Sequence, residues 1–240
     1  GYAGETMVLE LAARQLGSPL DGVLVVRDAS GKIVARGDDA PAPRWNIGTV
    51  VQYADPKLLL KLPAPGSYTV TVEDLAGQGG EAYRYYLKLA PPQPDFAVYS
   101  GTSMANIPAG GTGTIKLYVV RKDGCAAPLS VSSTTKNLEI ISGAQIAGNG
   151  DSVEVTVKNR NALRAPPEML GLEVRGVIGS RMVRHKVIPA DEYMQAFAYN
   201  HLIPARRWYL GTVPPERGNR NPENPAGKRV PAVNPKPATP

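Results

Sequence analysis

Apolar residues recur at every second position in this chain, broken by turn signals only a few residues apart. That pattern restricts it to short strands packed sheet on sheet. Residues 21–39, DGVLVVRDASGKIVARGDD, show it best. Residues 23–26 form an apolar run, Ala29-Ser30-Gly31-Lys32 a turn, and residues 33–35 a returning strand. Glycine takes a positive φ without steric cost, which places the tight step of the turn at Gly31. A hairpin this apolar is not stable alone and needs a second sheet to cover it.

The pattern continues on both sides. Met7, Leu9 and Leu11 alternate with Val8, Glu10 and Ala12; Leu58, Leu60 and Leu62 alternate with Lys57, Leu59 and Lys61. Tyr68, Val70 and Val72 follow the turn Pro63-Ala64-Pro65-Gly66, and Tyr83, Tyr85, Leu87 and Leu89 end a first unit at residue 90. Residues 37–57, with Pro41, Pro43, Trp45 and Pro56, read as a long loop. Pro91-Pro92-Gln93-Pro94 reads as a stiff linker, because proline favours extended geometry. A second set of alternating runs fills residues 95–189, from Phe96 and Val98 through Ile115, Leu117 and Val119 to Val183 and Val187. The expected class is all-β: two antiparallel β-sandwich domains in tandem. Residues 190–203, ADEYMQAFAYNHLI, read as a short helix or bridge, capped by Ala190-Asp191, with Tyr193, Met194, Phe197 and Leu202 on one side. From residue 204 to residue 240, nine of 37 residues are proline. Such a composition does not bury a core, so this part reads as an extended basic tail.

Three segments carry a family resemblance: AGETMVLEL at residues 3–11, LGSPLDGVLVVRDASGKIVARGDDA at 16–40, and KLPAPGSYTVTVEDLAGQGGEAYRYYLKL at 61–89. With the pattern PxPGxYTVxVxD in the third, residues 3–90 resemble a bacterial pre-peptidase C-terminal (PPC) domain. The resemblance implies a β-sandwich module of large secreted multidomain proteins, and it marks a fold rather than an activity. The family's first strand would lie before Gly1, which implies a shortened domain or an edge completed by another segment. Residues 95–189 resemble a bacterial immunoglobulin-like domain at the level of fold, without a Cys…Trp…Cys signature.

Composition narrows the function. At 240 residues, 42% hydrophobic and 20% charged, the chain is long and apolar enough for two folded domains. The lone Cys125 precludes an internal disulfide framework. The chain starts at Gly1 and has no run of about 18 apolar residues; it reads as a processed chain or a piece of a longer one, without a transmembrane segment. Net charge is +6, and residues 205–240 hold seven basic against two acidic residues, 7 − 2 = +5. The body is therefore near neutral, and nucleic acid is not an expected partner: aromatic residues are not interleaved through the basic stretch.

Several constellations invite a chemical reading. Gly101-Thr102-Ser103-Met104-Ala105 reproduces the motif around the nucleophilic serine of subtilisin-like proteases. That serine needs a histidine as general base, and the family places it earlier in the chain. Here His185 and His201 both come later, so residues 101–105 read as a strand-to-turn segment. Asp21, Asp28, Asp38 and Asp39 offer oxygen ligands for calcium, as in some relatives of the first domain, or simply cap turns. No other cofactor is expected. Trp45, Tyr53, Tyr68, Tyr83, Tyr85 and Tyr86 are either a platform for polysaccharide or ordinary cross-strand packing. His185 and Cys125 read as a strand-face residue and a spectator. In the tail, Arg206, Arg207, Trp208, Tyr209, Arg217, Arg220, Lys228 and Arg229 read as a docking arm on a neighbouring subunit, with Trp208 and Tyr209 as its aromatic anchors, the other reading being an expendable disordered end. The expectation is a non-catalytic exported subunit, at the periplasm, cell surface or outside the cell, tied to other protein subunits of a larger assembly. The alternative is a carbohydrate- or calcium-binding accessory module of a secreted multidomain enzyme.

Overall fold

A computed structural model describes residues 1–40, 46–47, 54–161, 165–195 and 199–214. Strands dominate, as the alternation requires; the one helical piece among the described residues is a short 3-10 turn, Arg14–Leu16.

The first domain is built from β1 (Thr6–Ala12), β2 (Gly22–Arg27), β3 (Ile33–Gly37), β5 (Lys57–Lys61), β6 (Thr69–Asp74) and β7 (Tyr86–Ala90), while β4 (Asn46–Ile47), between β3 and β5 in the chain, pairs with the second domain. Two three-stranded sheets, ordered β5-β1-β7 and β3-β2-β6, face each other. Register puts Leu9 between Leu58 and Leu89, and Leu24 between Gly37 and Val72. The inward-facing set Leu9, Leu11, Leu24 and Val26, joined by Ala13 and Leu20, is the buried core. Gly31 has φ 84°, as the turn demands. Pro63-Ala64-Pro65-Gly66 is held by Tyr68, whose hydroxyl donates to the Ala64 carbonyl at 2.6 Å. Asp74 closes the other end of β6, accepting the amides of Asp21, Ala76 and Gln78. The PxPGxYTVxVxD pattern thus encodes the two ends of one strand.

The second domain comprises β8 (Asp95–Ser100), β9 (Met104–Pro108), β10 (Thr112–Lys122), β11 (Leu129–Ser133), β12 (Leu138–Ser142), β13 (Gln145–Ile146), β14 (Ser152–Asn159), β15 (Glu168–Met169), β16 (Leu172–Ile178), β17 (Arg181–Lys186), β18 (Ala190–Gln195), β19 (Tyr199–Pro204) and β20 (Tyr209–Val213). Its two four-stranded sheets are β12-β14-β10-β8 and β13-β11-β16-β17, with a third sheet, β15-β20-β9, on the same core. Ile115, Leu117, Val155, Val157, Leu172 and Val174 are essentially solvent-free at its centre.

Three sequence expectations change here. Residues 190–203 are not a helix: β18 and β19 form an antiparallel hairpin, with residues 196–198 between them outside the described set. Tertiary pairing overrides local propensity, because the Ala190 amide bonds the Ser100 hydroxyl and the Glu192 amide bonds the Gly101 carbonyl. The tail does not begin at residue 204 either. β20 runs parallel to β9, and Trp208 and Leu210 enter the core at 2% and 0% exposure. Within residues 37–57, β4 pairs parallel to β19, so this stretch is not all loop; Trp45 and Tyr53 lie outside the described residues.

The domains meet at a polar joint. Lys57 of β5 reaches Asp123 in the second domain at 2.8 Å, with the Asp123 side chain only 6% exposed. The same carboxylate accepts the Gln93 amide of the proline linker at 3.0 Å. Burial alone would raise the Asp123 carboxyl; the Lys57 and Gln93 bonds and the charges of Lys57 and Lys122 outweigh it and hold it below the usual carboxylate range. Asp123 itself sits at φ 49°, the one non-glycine residue described in that region. A short side chain that bonds locally tolerates such a backbone. Ile47 of β4 packs on Tyr118, Ala190 and Leu202 and β4 pairs with β19, so this strand belongs to the packing of the second domain.

Candidate partner-binding face

The residues flagged for chemistry do not converge. β2 separates Asp21 from Asp28 by about 20 Å of extended chain. Asp38 and Asp39 follow the end of β3 that lies beside the start of β2, on the Asp21 side. Asp28 is occupied locally: it accepts the Ser30 amide and hydroxyl and the Lys32 amide, and these bonds, led by the Ser30 hydroxyl, hold its carboxyl below the ordinary range. Asp21 meets Arg14 at 3.4 Å. Among the described residues no three His, Cys, Asp or Glu side chains gather as metal ligands do.

Ser103 lies in the turn between β8 and β9. Its amide and hydroxyl both donate to Asp191 of β18, at 2.7 and 2.8 Å. The two bonds tie the turn to β18, and a carboxylate alone is not the serine–histidine pair that the protease motif requires. His185 instead bonds Asp95 at 2.7 Å and sits edge-on to Phe96 at 5.0 Å, linking β17 to β8. Cys125 is buried in the second core. Tyr68 and Tyr83 pack on the first core, while Tyr85 and Tyr86 are more than half exposed.

The four tail residues within the described part divide sharply. Arg206 and Arg207 are exposed and Tyr209 is half-buried, with Arg207 donating to the Tyr209 hydroxyl at 3.3 Å. Trp208 is core and cannot anchor a partner, which corrects its assignment; the Leu170 amide donates to its carbonyl. Arg217, Arg220, Lys228 and Arg229 lie outside the described residues. Tyr209 sits on the outer face of the β15-β20-β9 sheet, in line with Met104 and Met169. Sequence reading passed over both methionines. Met104 was hidden inside the protease-like motif, and Met169 belongs to a two-residue strand too short to show a period. Strand β20 had a legible signal, since Trp208, Leu210 and Thr212 alternate; the prolines on either side obscured it.

No family model matches this chain. No curated protein matches it. Among solved structures it is similar to domains 1–6 of the surface layer protein SbsC, at 13% identity and a TM-score of 0.27, covering 79% of this chain and 24% of that one. It is also similar to domains 4–9 of the same protein, at 11% identity and a TM-score of 0.30, covering 87% and 30%. The chain spans under a third of the length of either solved chain. Among the described residues no helix is long and apolar enough to cross a membrane.

Proposed function

We propose that this chain is a non-catalytic structural module of an exported protein: a stiff pair of β-sandwiches that sets a distance and orientation, tied to neighbouring subunits through its basic C-terminal segment. The joint carries this reading. The Asp123 carboxylate takes Lys57 of the first sandwich and the Gln93 amide of the linker together, and Leu59 of β5 comes up against Gly124 beside it. A flexible tether between independent binding modules needs none of these contacts.

Two features support the rest. The Ser103 hydroxyl bonds Asp191 while His185 bonds Asp95, so residues 101–105 and His185 do not assemble the serine–histidine pair of a protease. The PPC-like resemblance of residues 3–90 and the single buried cysteine suit an exported sandwich whose core makes disulfides unnecessary. The segment that docks is residues 215–240, because residues 205–214 belong to the second domain. Removing residues 215–240 should release the protein from its native complex, read by co-purification, while circular dichroism and thermal unfolding stay as in the full chain. Normal co-purification of the shortened protein would refute the docking part of the proposal.

A further inference from the structure

Opposite charges set across from one another stabilise neighbouring strands, and like charges do the reverse. The outer face of the β13-β11-β16-β17 sheet breaks that rule. Register places Arg175 of β16 directly opposite Arg184 of β17, with Val177 opposite Met182 beside them. Both arginines are exposed. The Cβ atoms of such a pair stand about 5 Å apart, close enough for two guanidinium groups to repel. The acidic residue on the outer face of this hairpin, Glu173, stands opposite Lys186 instead. Among the described residues neither arginine makes an ion pair, and Arg184 makes no hydrogen bond. Arg175 uses only its Nε, which donates to Ser130 Oγ at 3.1 Å. That bond steadies the guanidinium and leaves its two Nη groups, which take a carboxylate or sulfate side by side, without a partner among the described residues.

We infer that this face binds an acidic polysaccharide, with a carboxylate or sulfate group of the polymer seated between Arg175 and Arg184. An anion there converts one repulsion into two charge-assisted contacts. Lys186 lies two residues beyond Arg184 on the same side of β17, about 7 Å along the strand, and meets the charge of a following unit.

The neighbours of the pair suit a sugar chain. Register continues the row from Arg175 to Ser130 and Gln145, and sets Ser132 beside Glu173 in the next row. These short polar side chains match sugar hydroxyls. Val177 and Met182, 53% and 51% exposed, offer a small apolar patch for the C–H face of a ring. Two such side chains are too few for the desolvated core of a protein interface. Residues 215–240 of another copy carry the wrong sign, with five basic and two acidic residues, 5 − 2 = +3.

Calorimetric titration of the full chain with polygalacturonate and with dextran sulfate tests this, with neutral dextran as the control. At least one acidic polymer should bind, dextran should not, and added salt should weaken the complex. Arg175→Thr and Arg184→Thr should each weaken binding about tenfold or more. Both positions are exposed on strands, where threonine is well suited, so the fold should be kept. Without polymer, Arg184→Thr should melt above the parent, because it removes one of two facing like charges; an arginine serving the fold would give the opposite shift. The inference is overturned if neither acidic polymer binds, if both substitutions leave binding unchanged, or if Arg184→Thr melts below the parent. It is equally overturned if poly-glutamate or phosphatidylglycerol vesicles bind as tightly as the better polysaccharide, since the partner would then be an acidic protein or a membrane.

Discussion

Asp123 shows how much one side chain settles in this protein. It holds a left-handed backbone position, receives Lys57 from the first domain and caps the linker at Gln93. Its carboxyl is held below the ordinary range against the effect of burial, and Asp95, bonded by His185 and the Phe96 amide, behaves the same way. A carboxyl with a depressed folded-state pKa contributes stability that is complete above its unfolded value and is lost as pH falls through the folded one. Stability to urea should therefore be level from pH 5 to pH 8 and decline below about pH 4. Asp123→Asn should lower stability at neutral pH by about 1–3 kcal/mol and flatten that decline. An acid slope identical in the variant and the parent would show that Asp123 is not one of the groups responsible. Asp28 and Asp74 are half-buried turn caps, and their depressed carboxyls add to the same acid limb.

At the level of elements, β20 marks the boundary between body and tail. It inserts Leu210 into the core behind Trp208, and Thr212 receives the buried Asn159 side-chain amide at 3.1 Å. A chain ending at residue 214 keeps all of this; one ending at residue 204 loses Trp208 and Leu210 together. Losing a buried Trp alone is worth about 3–5 kcal/mol, a large share of what a domain of this size possesses. The shorter chain should thus lose the unfolding transition of the second domain in calorimetry, while the chain ending at residue 214 keeps both transitions. Two intact transitions after cutting at residue 204 would mean that β20 is dispensable. The sandwiches themselves were legible, because Leu9, Leu24, Leu117 and Val155 each sit in runs long enough to show a period of two. β18 and β19 were not. Residues 190–203 have an apolar spacing that also fits a helix, and their strand state is imposed by Ser100 and Gly101, ninety residues away. The row Met104, Tyr209 and Met169 was illegible for a related reason: its residues come from β9, β20 and β15, and the parallel pairing of β20 with β9 and its antiparallel pairing with β15 bring them into line.

Across the whole molecule, the joint determines whether two sandwiches behave as one body. Its parts act in different ways. The proline linker limits the directions in which the second domain can leave the first, but it does not fix the rotation between them. Rotation is limited by side-chain contacts beside the linker, and Lys57–Asp123 is one of them. Leu59 adds another point of approach, since a Cβ at Gly124 would come within 3.0 Å of its Cδ2. Interfaces within a chain usually permit motion unless they are large or specifically locked, and here the lock is a carboxylate with almost no access to water. Asp123→Ala removes the ion pair and the linker cap in one step and leaves both hydrophobic cores untouched. Small-angle scattering of the variant should show a larger radius of gyration and a smeared distance distribution, with both calorimetric transitions retained. Acidifying the parent protein to about pH 3 should move it the same way, because protonating Asp123 dismantles the same contacts. An unchanged scattering profile in both experiments would place the rigidity in Leu59 and the prolines, and Asp123 would then be a local turn residue rather than the pin of a spacer.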